Sequence, residues 1–145
     1  MGRILAIDYG TKKIGIAVTD PEQLIATGLT TVTPDKVWEF IKEYSGKENI
    51  QKIVVGCPVT EQNKPSMSYK GVQQFVKTLK KKYGNITIDL FDERYTSSMA
   101  FQTMIDSGIS KTKRRDKELI DKISATILLQ SYMEYQDNLE KRKKR

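Results

Sequence analysis

The sequence predicts an α/β domain with a mixed, five-stranded sheet, whose first three strands form a meander, flanked by helices. Three observations lead to this class. Three short strand-like segments follow one another near the N-terminus, the later apolar segments alternate with segments of helical spacing, and turn residues separate them. The predicted order is three strands, helix, strand, helix, strand, helix, helix.

The first half of the chain contains the meander and the first helix. Residues 3–9 are rich in Ile, Leu and Ala and are typical of a buried strand, and residues 14–19 alternate apolar and small residues. The turn at residues 10–13 between them indicates a hairpin. Residues 28–33 predict the third strand. The segment Thr33-Pro34-Asp35 then predicts a helix start, with Thr as the cap and Pro at the first helical position.

The second half alternates strands and helices. Residues 52–55 and 87–91 are short apolar strands. The helix between them ends at Gly84-Asn85 and has an apolar face formed by Val72, Phe75, Val76, Leu79 and Tyr83. A further helix is expected from Thr96 or Ser97 to about Ser107, closed by Gly108. The last helix is expected over residues 117–135.

Length and composition narrow the function classes. With 145 residues the chain fits one domain, which we expect over residues 1–138, followed by a basic tail at residues 139–145. No apolar run reaches the roughly 18 residues of a membrane span. One cysteine and no histidine exclude an internal disulfide framework, a cysteine-rich zinc site and any histidine base. A cytoplasmic location follows as the default expectation.

The net charge of +7 is concentrated in two segments. Residues 110–118 contain five basic and two acidic residues, and residues 140–145 contain five basic and one acidic. These two segments account for the whole excess. Clustered positive charge is the footprint expected for a phosphate backbone, although a solvated loop and a ragged chain end would also explain it.

Three acids stand where chemistry is expected. Asp8 ends the first apolar strand, and Glu93 follows the last. If the two strands are parallel, both acids lie at the carboxyl edge of the sheet, where open α/β sheets bind ligands. Asp121 shares a helical stripe with Ala125, Leu128 and Tyr132, which favours a position facing that edge. Each acid also has a structural explanation, as a turn cap, a surface ion pair or a first-turn acid.

Three carboxylates from distant segments would form a hard, oxygen-rich site for Mg²⁺ or Mn²⁺. Such ions can activate water for attack on a phosphodiester. Phosphates could be held by the basic residues Lys12, Lys13, Arg94, Lys111, Lys113, Arg114 and Arg115. A fourth acid, Glu118 or Asp92, is left open: Asp92 would point away from Glu93, and Glu118 is also an ordinary first-turn residue.

At these residues the sequence resembles the YqgF/RuvX family, described as Holliday-junction resolvases and as nucleases of pre-16S ribosomal RNA. Four motifs in order carry the resemblance over roughly residues 4–132: IDYGTKKIGIA at 7–17, IVVGCP at 53–58, DERYTS at 92–97 with Ala100 after it, and IDKISA at 120–125 continuing as ILLQSY at 127–132. Each motif alone is weak, but four at the family's spacing are specific.

The resemblance implies a ribonuclease-H-like fold, with Asp8, Glu93 and Asp121 as catalytic, metal-binding acids. It also implies a cytoplasmic role in maturing the 5′ end of 16S ribosomal RNA. Two departures stand out. The family's Asp-Gly turn after Gly-x-Pro is missing, because residues 59–65 contain no glycine, and one of two paired alanines is replaced at Ser124-Ala125.

Three functions are consistent with parts of this pattern. The first is a metal-dependent nuclease acting on structured RNA, or on branched DNA as a Holliday-junction resolvase. The second is a non-catalytic RNA-binding factor in ribosome assembly, which would gain nothing from acids near phosphates. The third is an actin-like phosphotransferase, since Asp-x-Gly-Thr-Lys at residues 8–12 also opens those folds, but that architecture needs a much longer chain. Glu93 and Asp121 favour the nuclease.

Overall fold

The computed structural model describes residues 2–10, 12–57, 67–92 and 117–143, with the backbone alone at some positions, among them Asp92 and residues 117–123. The strands and helices it contains are β1 (Arg3–Asp8), β2 (Ile14–Thr19), β3 (Ala26–Val32), α1 (Val37–Lys47), β4 (Ile50–Cys57), α2 (Met67–Lys82), β5 (Thr87–Asp92) and α3 (Lys117–Lys143).

The sheet has the order β3-β2-β1-β4-β5. Strands β1, β2 and β3 pair antiparallel as the predicted meander, while β4 and β5 run parallel to β1. The mixed, five-stranded sheet expected from the sequence is therefore confirmed. Because β1, β4 and β5 are parallel, their carboxyl ends lie at one edge of the sheet.

One face of the sheet is covered by α1 and α2. The strands contribute large branched side chains such as Ile7, Ile16 and Val55, all with no exposed surface. The helices add Val37 and Ile41 from α1 and the buried members of the predicted α2 stripe, Val72, Phe75, Val76 and Leu79. The fifth predicted member, Tyr83, follows the end of the helix and packs there partly buried. Burial of these apolar side chains stabilises the packing of α1 and α2 on the sheet.

The opposite face is covered by α3 and is lined by smaller side chains. Ala6 and Ala17 are direct cross-strand partners on β1 and β2, and both are fully buried. They pack with Ala125, Leu128 and Tyr132 of the helix. Because alanine projects little from the sheet, the α3 backbone can approach closely, and the position of the helix is sensitive to added volume.

The start of α1 was predicted wrongly. The helix begins at Val37 with Lys36 as its N-cap, and no side chain caps it. Residues 34–36 form a turn instead, in which the Lys36 amide donates to the carbonyl oxygen of Thr33 at 3.0 Å. The Thr33 side chain bonds to Asp35 and lowers the pKa of that carboxyl group. The hydroxyl expected to cap the helix is thus used in the preceding turn.

Other elements extend beyond their predicted bounds. Strand β3 begins at Ala26, β4 spans Ile50–Cys57, and α3 continues past residue 135 to Lys143. By contrast, β1 and β3 each end one residue earlier than predicted, at Asp8 and Val32. For β3 and β4, pairing with the neighbouring strands extends the structure beyond the residues with a clear apolar pattern. The helix predicted for residues 96–107 lies outside the described residues. None of the described helices combines the length and apolar character needed to cross a membrane.

Replacing Ala6 by Leu should push α3 away from the sheet. We expect the free energy of unfolding to fall by about 1–3 kcal/mol, the usual effect of overpacking a filled core. Urea denaturation followed by circular dichroism measures it. The matched control is Thr27→Leu, at an exposed position of β3, where the change should stay within about 0.5 kcal/mol. Equal effects at both positions would show that α3 does not depend on the small residues.

Candidate functional site

Asp8 is the last residue of β1 and is half-buried. Side chains alternate along a strand, and the preceding members of its series, Ile4 and Ala6, pack against α3. Asp8 therefore lies on the α3 face at the carboxyl edge of the sheet. This is the edge that the parallel strands share, so the predicted location of the first acid is confirmed.

Glycines lie beside Asp8 on both neighbouring strands. Gly15 is its cross-strand partner on β2. On the other side Ile7 pairs with Val55, so the next positions along the two parallel strands are Asp8 and Gly56. Neither neighbour has a side chain that could cover or pair with the carboxylate. Close approach of a ligand to a strand is a common reason for glycine inside a sheet.

The hairpin after Asp8 needs a glycine at its first position. A Cβ atom on Gly10 would overlap the carbonyl oxygen of Lys13. The turn places Lys12, which is exposed, and Lys13, which is half-buried, beside the end of β1. Two predicted phosphate-binding residues thus lie close in the chain to Asp8 at the same edge.

The first turns of α2 reach the same edge. A Cβ atom on Gly71 would lie 3.2 Å from Cε1 of Tyr9, the residue directly after Asp8. The Tyr9 ring in turn packs on Phe75, with ring centroids 5.1 Å apart. Glycine at position 71 allows the beginning of α2 to lie against the end of β1, on the face opposite to α3.

Helix α3 presents the predicted stripe to the sheet. Ala125, Leu128 and Tyr132 are buried against it, as the spacing indicated. Asp121 belongs to α3 and precedes Ala125 by four residues, about one helical turn. Its side chain is outside the described part of the structure.

A polar cluster connects α3 to β4 and β5, the two strands that run parallel to β1. The Lys52 ammonium group on β4 donates to the Tyr132 hydroxyl at 2.9 Å, and that hydroxyl donates to Oδ2 of Asp89 on β5 at 2.5 Å. Lys52 and Asp89 also form an ion pair at 3.7 Å. The Tyr132 ring stacks on Phe91, with centroids 5.8 Å apart. This contact sets where α3 crosses the sheet.

Burial and Asp89 both act on Tyr132. Removal of the ring from water, followed by the hydrogen bond and the negative charge of Asp89, raises the pKa of the Tyr132 hydroxyl well above its ordinary value. The hydroxyl therefore stays protonated and remains a donor. The sequence interpretation placed Tyr132 on the same helical stripe as Ala125 and Leu128 but missed this cluster. The available signal was a pair of opposite charges, Lys52 and Asp89, next to apolar residues in two neighbouring strand segments.

Several predicted site residues lie outside the described residues: Glu93, Arg94, Lys111, Lys113, Arg114 and Arg115. The two candidates for a fourth acid, Asp92 and Glu118, are described only by their backbone in β5 and α3. Among the described side chains, no group of three or more Asp, Glu or Cys residues is arranged to hold a metal ion. Glu93 and the Asp121 carboxylate are not among them, so the three-acid site stays a prediction.

Sequence comparison finds relatives along nearly the whole chain. Residues 2–135 match the model of the RuvX family, described as "Holliday junction resolvase". A protein of Flavobacterium psychrophilum named "Putative pre-16S rRNA nuclease" is 48% identical over 133 residues, covering 92% of this chain and 97% of that protein. A protein of the same name from Bacteroides thetaiotaomicron is 46% identical over 134 residues, with the same two coverages of 92% and 97%.

Solved structures share the fold at low sequence identity. RuvC of Thermus thermophilus in complex with a Holliday junction substrate is 14% identical, with a TM-score of 0.57 over 92% of this chain and 96% of that chain. The Holliday junction resolvase of fowlpox virus is 15% identical, with a TM-score of 0.55 over 92% of this chain and 99% of that one. The fold is therefore ribonuclease-H-like, as the sequence resemblance implied.

The Tyr132 cluster should give stability a distinct pH dependence. In the folded chain the pKa of Tyr132 is raised, whereas in the unfolded chain it titrates near 10. Its contribution is therefore present below about pH 10 and lost as pH rises further. We expect Tyr132→Phe to lower the unfolding free energy at pH 7 by about 1 kcal/mol. The difference from wild type should shrink above pH 10, as measured by urea denaturation at several pH values.

A matched control for this experiment is Tyr135→Phe. Tyr135 also contacts Phe91, but it is 52% exposed. Loss of the Tyr135 hydroxyl should leave the unfolding free energy nearly unchanged at every pH. If Tyr132→Phe behaved in the same way, the hydroxyl would not help to hold α3 on the sheet.

Proposed function

Since the chain belongs to the RuvX family, we propose that it is a metal-dependent nuclease that hydrolyses phosphodiester bonds in structured nucleic acid. The favoured substrate is the 5′ precursor region of 16S ribosomal RNA, in keeping with the name of its curated relatives. The reaction would take place in the cytoplasm, on free RNA or on a ribosomal precursor particle. The net charge of +7 suits a phosphate-rich substrate.

The placement of Asp8 is the observation that carries this proposal. It ends β1 on the α3 face, next to two glycines, at the edge where β5 also ends. Glu93 directly follows β5, in which Asp89 contacts Tyr132 of α3 and Phe91 packs on the same helix. The alternation of that strand favours Glu93 for the face on which Asp8 lies. Asp121, one turn before buried Ala125 in α3, completes the proposed trio.

The donor set suits a hard divalent cation. The sequence contains no histidine and only one cysteine, so carboxylates are the available anionic ligands for a metal. Oxygen ligands select Mg²⁺ or Mn²⁺ over zinc. We propose that Asp8, Glu93 and Asp121 hold this cation. When bound, such an ion supplies Lewis-acid polarisation of the phosphate and activation of water.

The remaining residues would position the substrate. Lys12 and Lys13, in the hairpin turn that follows Asp8, would bind phosphate oxygens of the substrate. Arg94, next to Glu93 in the chain, and the basic residues of the 110–118 segment would bind phosphates further along the strand. A bound cation and these basic side chains would offset the mutual repulsion of the three carboxylates.

Branched DNA is the second candidate substrate. The description of the family model supports it, and a four-way junction is also a phosphate-rich, structured substrate. A third reading is a non-catalytic RNA-binding factor in ribosome assembly. The acids distinguish a nuclease from this binding factor, because clustered carboxylates weaken phosphate binding unless a cation is bound between them.

The decisive measurement is cleavage of a labelled RNA spanning the 5′ precursor region of 16S ribosomal RNA, with Mg²⁺ or Mn²⁺, by wild type and by Asp8→Asn. We expect the variant to be at least about 100-fold slower, since even outer-shell partners of a metal site contribute 10–100-fold. Glu93→Gln and Asp121→Asn should behave alike. A four-way DNA junction, tested in parallel, separates the two substrates.

The matched control is Asp137→Asn, an exposed acid of α3 beyond the buried stripe. It should cleave like wild type. Cleavage of the junction alone would favour the resolvase. Equal cleavage by wild type and Asp8→Asn would contradict catalysis at this edge and indicate a contaminating nuclease. No cleavage by either protein, with RNA binding retained, would leave the assembly factor as the function.

The basic segment 110–118 gives an independent prediction for binding. Replacing Lys113, Arg114 and Arg115 by Ala should weaken RNA binding and flatten its salt dependence. Each lost phosphate contact lowers the slope of log affinity against log salt by about 0.7–0.9. Anisotropy titrations at several salt concentrations measure this slope. An unchanged slope would show that the segment does not contact phosphates.

A further inference from the structure

The outer face of α2 carries a row of cations that the proposed reaction does not use. The helix contains five lysines and no acidic residue. Lys70, Lys77 and Lys80 are exposed and recur at helical spacing, with exposed Gln73 and Gln74 between them. From the first to the last of these lysines the row is about 15 Å long.

Helix stability explains only part of this row. The three lysines of the last turn favour the negative end of the helix dipole, and Lys82 also lies 5.5 Å from the centre of the Trp38 ring. Lys70 and Lys77 are too far from the helix end to benefit. Within the described part of the chain, neither forms an ion pair with an acid.

A groove runs beside the row, between α2 and the edge strand β5. It has a volume of about 390 Å³ and is lined by Gln73, Gln74, Val76, Lys77, Lys80 and Leu90. Its floor is apolar, with Val76 buried and Leu90 48% exposed. The two amides offer donors and acceptors, and the two lysines add positive charge. A volume above about 300 Å³ is in the range of small-ligand sites.

The groove lies close to the proposed catalytic edge. Leu90 is in register with Val55, which is in register with Ile7, the residue before Asp8. Two strand spacings separate Leu90 from Ile7, or about 10 Å. The first turns of α2 touch Tyr9 at the same edge. The groove lies on the α2 face and Asp8 on the α3 face. A polymer chain bound beside Asp8 would therefore reach the groove by passing around the carboxyl ends of β4 and β5.

We propose that this groove, formed by α2 and Leu90, binds a single-stranded segment of RNA that flanks the cleavage site. Lys70, Lys77 and Lys80 bind successive phosphates, while an unstacked base enters between the apolar floor and the two glutamines. The inference rests on the proposed function, because it takes the bound polymer to be the substrate of the site at Asp8. It adds the path that the substrate strand follows and the inference that this strand is single.

The composition of the groove favours a single strand over a duplex. In a duplex the bases are stacked and paired, so a helix surface meets mainly backbone. The amides would then bind only phosphate or sugar oxygens, and the apolar floor between them would stay unfilled. In a single strand the base faces and edges are accessible. Charge complementarity selects a polyanion, because the helix has no acid to balance its lysines.

The test is anisotropy titration of a labelled single-stranded RNA of about a dozen nucleotides, within the site size of known single-strand binders. A duplex of the same length is titrated alongside. Both are measured in EDTA, so binding is read even if the chain cleaves nothing. We expect Lys77→Ala/Lys80→Ala to weaken single-strand binding at least tenfold and to lower the salt slope by about 1.4. Gln73→Ala/Gln74→Ala should weaken binding of the single strand more than binding of the duplex.

The matched control is Lys42→Ala/Lys47→Ala, which removes two exposed lysines from α1. It should retain wild-type binding, and thermal melting should confirm that all variants fold. Four results would each overturn the proposal. The first two are no RNA binding by wild type and equal losses of binding in the groove and control variants. The other two are tighter binding of the duplex than of the single strand, and displacement of the RNA by polyglutamate, a polyanion without bases, as effectively as by unlabelled RNA. Loss of cleavage by Asp8→Asn with intact groove binding would support both proposals. Groove binding in a chain without nuclease activity would overturn the proposed function and the assignment of the bound strand as its substrate, and would leave only a single-strand binding groove.

Discussion

The close seating of α3 on the sheet is the contact on which the candidate site depends. Ala6 and Ala17 keep the sheet surface low, and Ala125 of the helix meets them. Tyr132 then anchors the helix through Lys52 and Asp89 on the two neighbouring strands. The small residues set how near the helix lies and the polar cluster sets its position along the strands. Together they determine where the beginning of α3, which contains Asp121, stands relative to Asp8.

The two faces of the sheet have different roles. The α1/α2 face is packed with large branched and aromatic side chains, which provide stability through buried apolar area. The α3 face has less side-chain volume near the strand ends, where Gly15 and Gly56 flank Asp8. A carboxylate there has two neighbours without side chains, an arrangement suited to close approach of a cation and a phosphate. The meander is essential to this division, because it supplies β2 with its small residues beside β1.

The proposed catalytic acids and the lysines lie in different parts of the fold. Acids proposed for chemistry come from the ends of β1 and β5 and from α3, while lysines gather in the hairpin turn and along the outside of α2. A polyanion approaching the carboxyl edge would meet cations on its flanks before it met the carboxylates. This separation matters, because unscreened carboxylates and phosphates repel each other at contact distances. The Lys52–Asp89 pair is a structural exception, since both charges are used to hold α3.

The sequence by itself determined the order of the described strands and helices, the meander, the apolar faces of α2 and α3, and the position of Asp8 at a strand end. These follow from periodicity and turn residues, which act over a few neighbouring positions. It did not determine that residues 34–36 form a turn, because the Thr33 hydroxyl had two local partners to choose between. It also missed the Lys52–Tyr132–Asp89 cluster and the groove at Leu90, whose members are separated along the chain and meet only when β4, β5 and the helices are packed. Only tertiary structure decides which distant side chains share a neighbourhood, because packing selects among many locally acceptable arrangements.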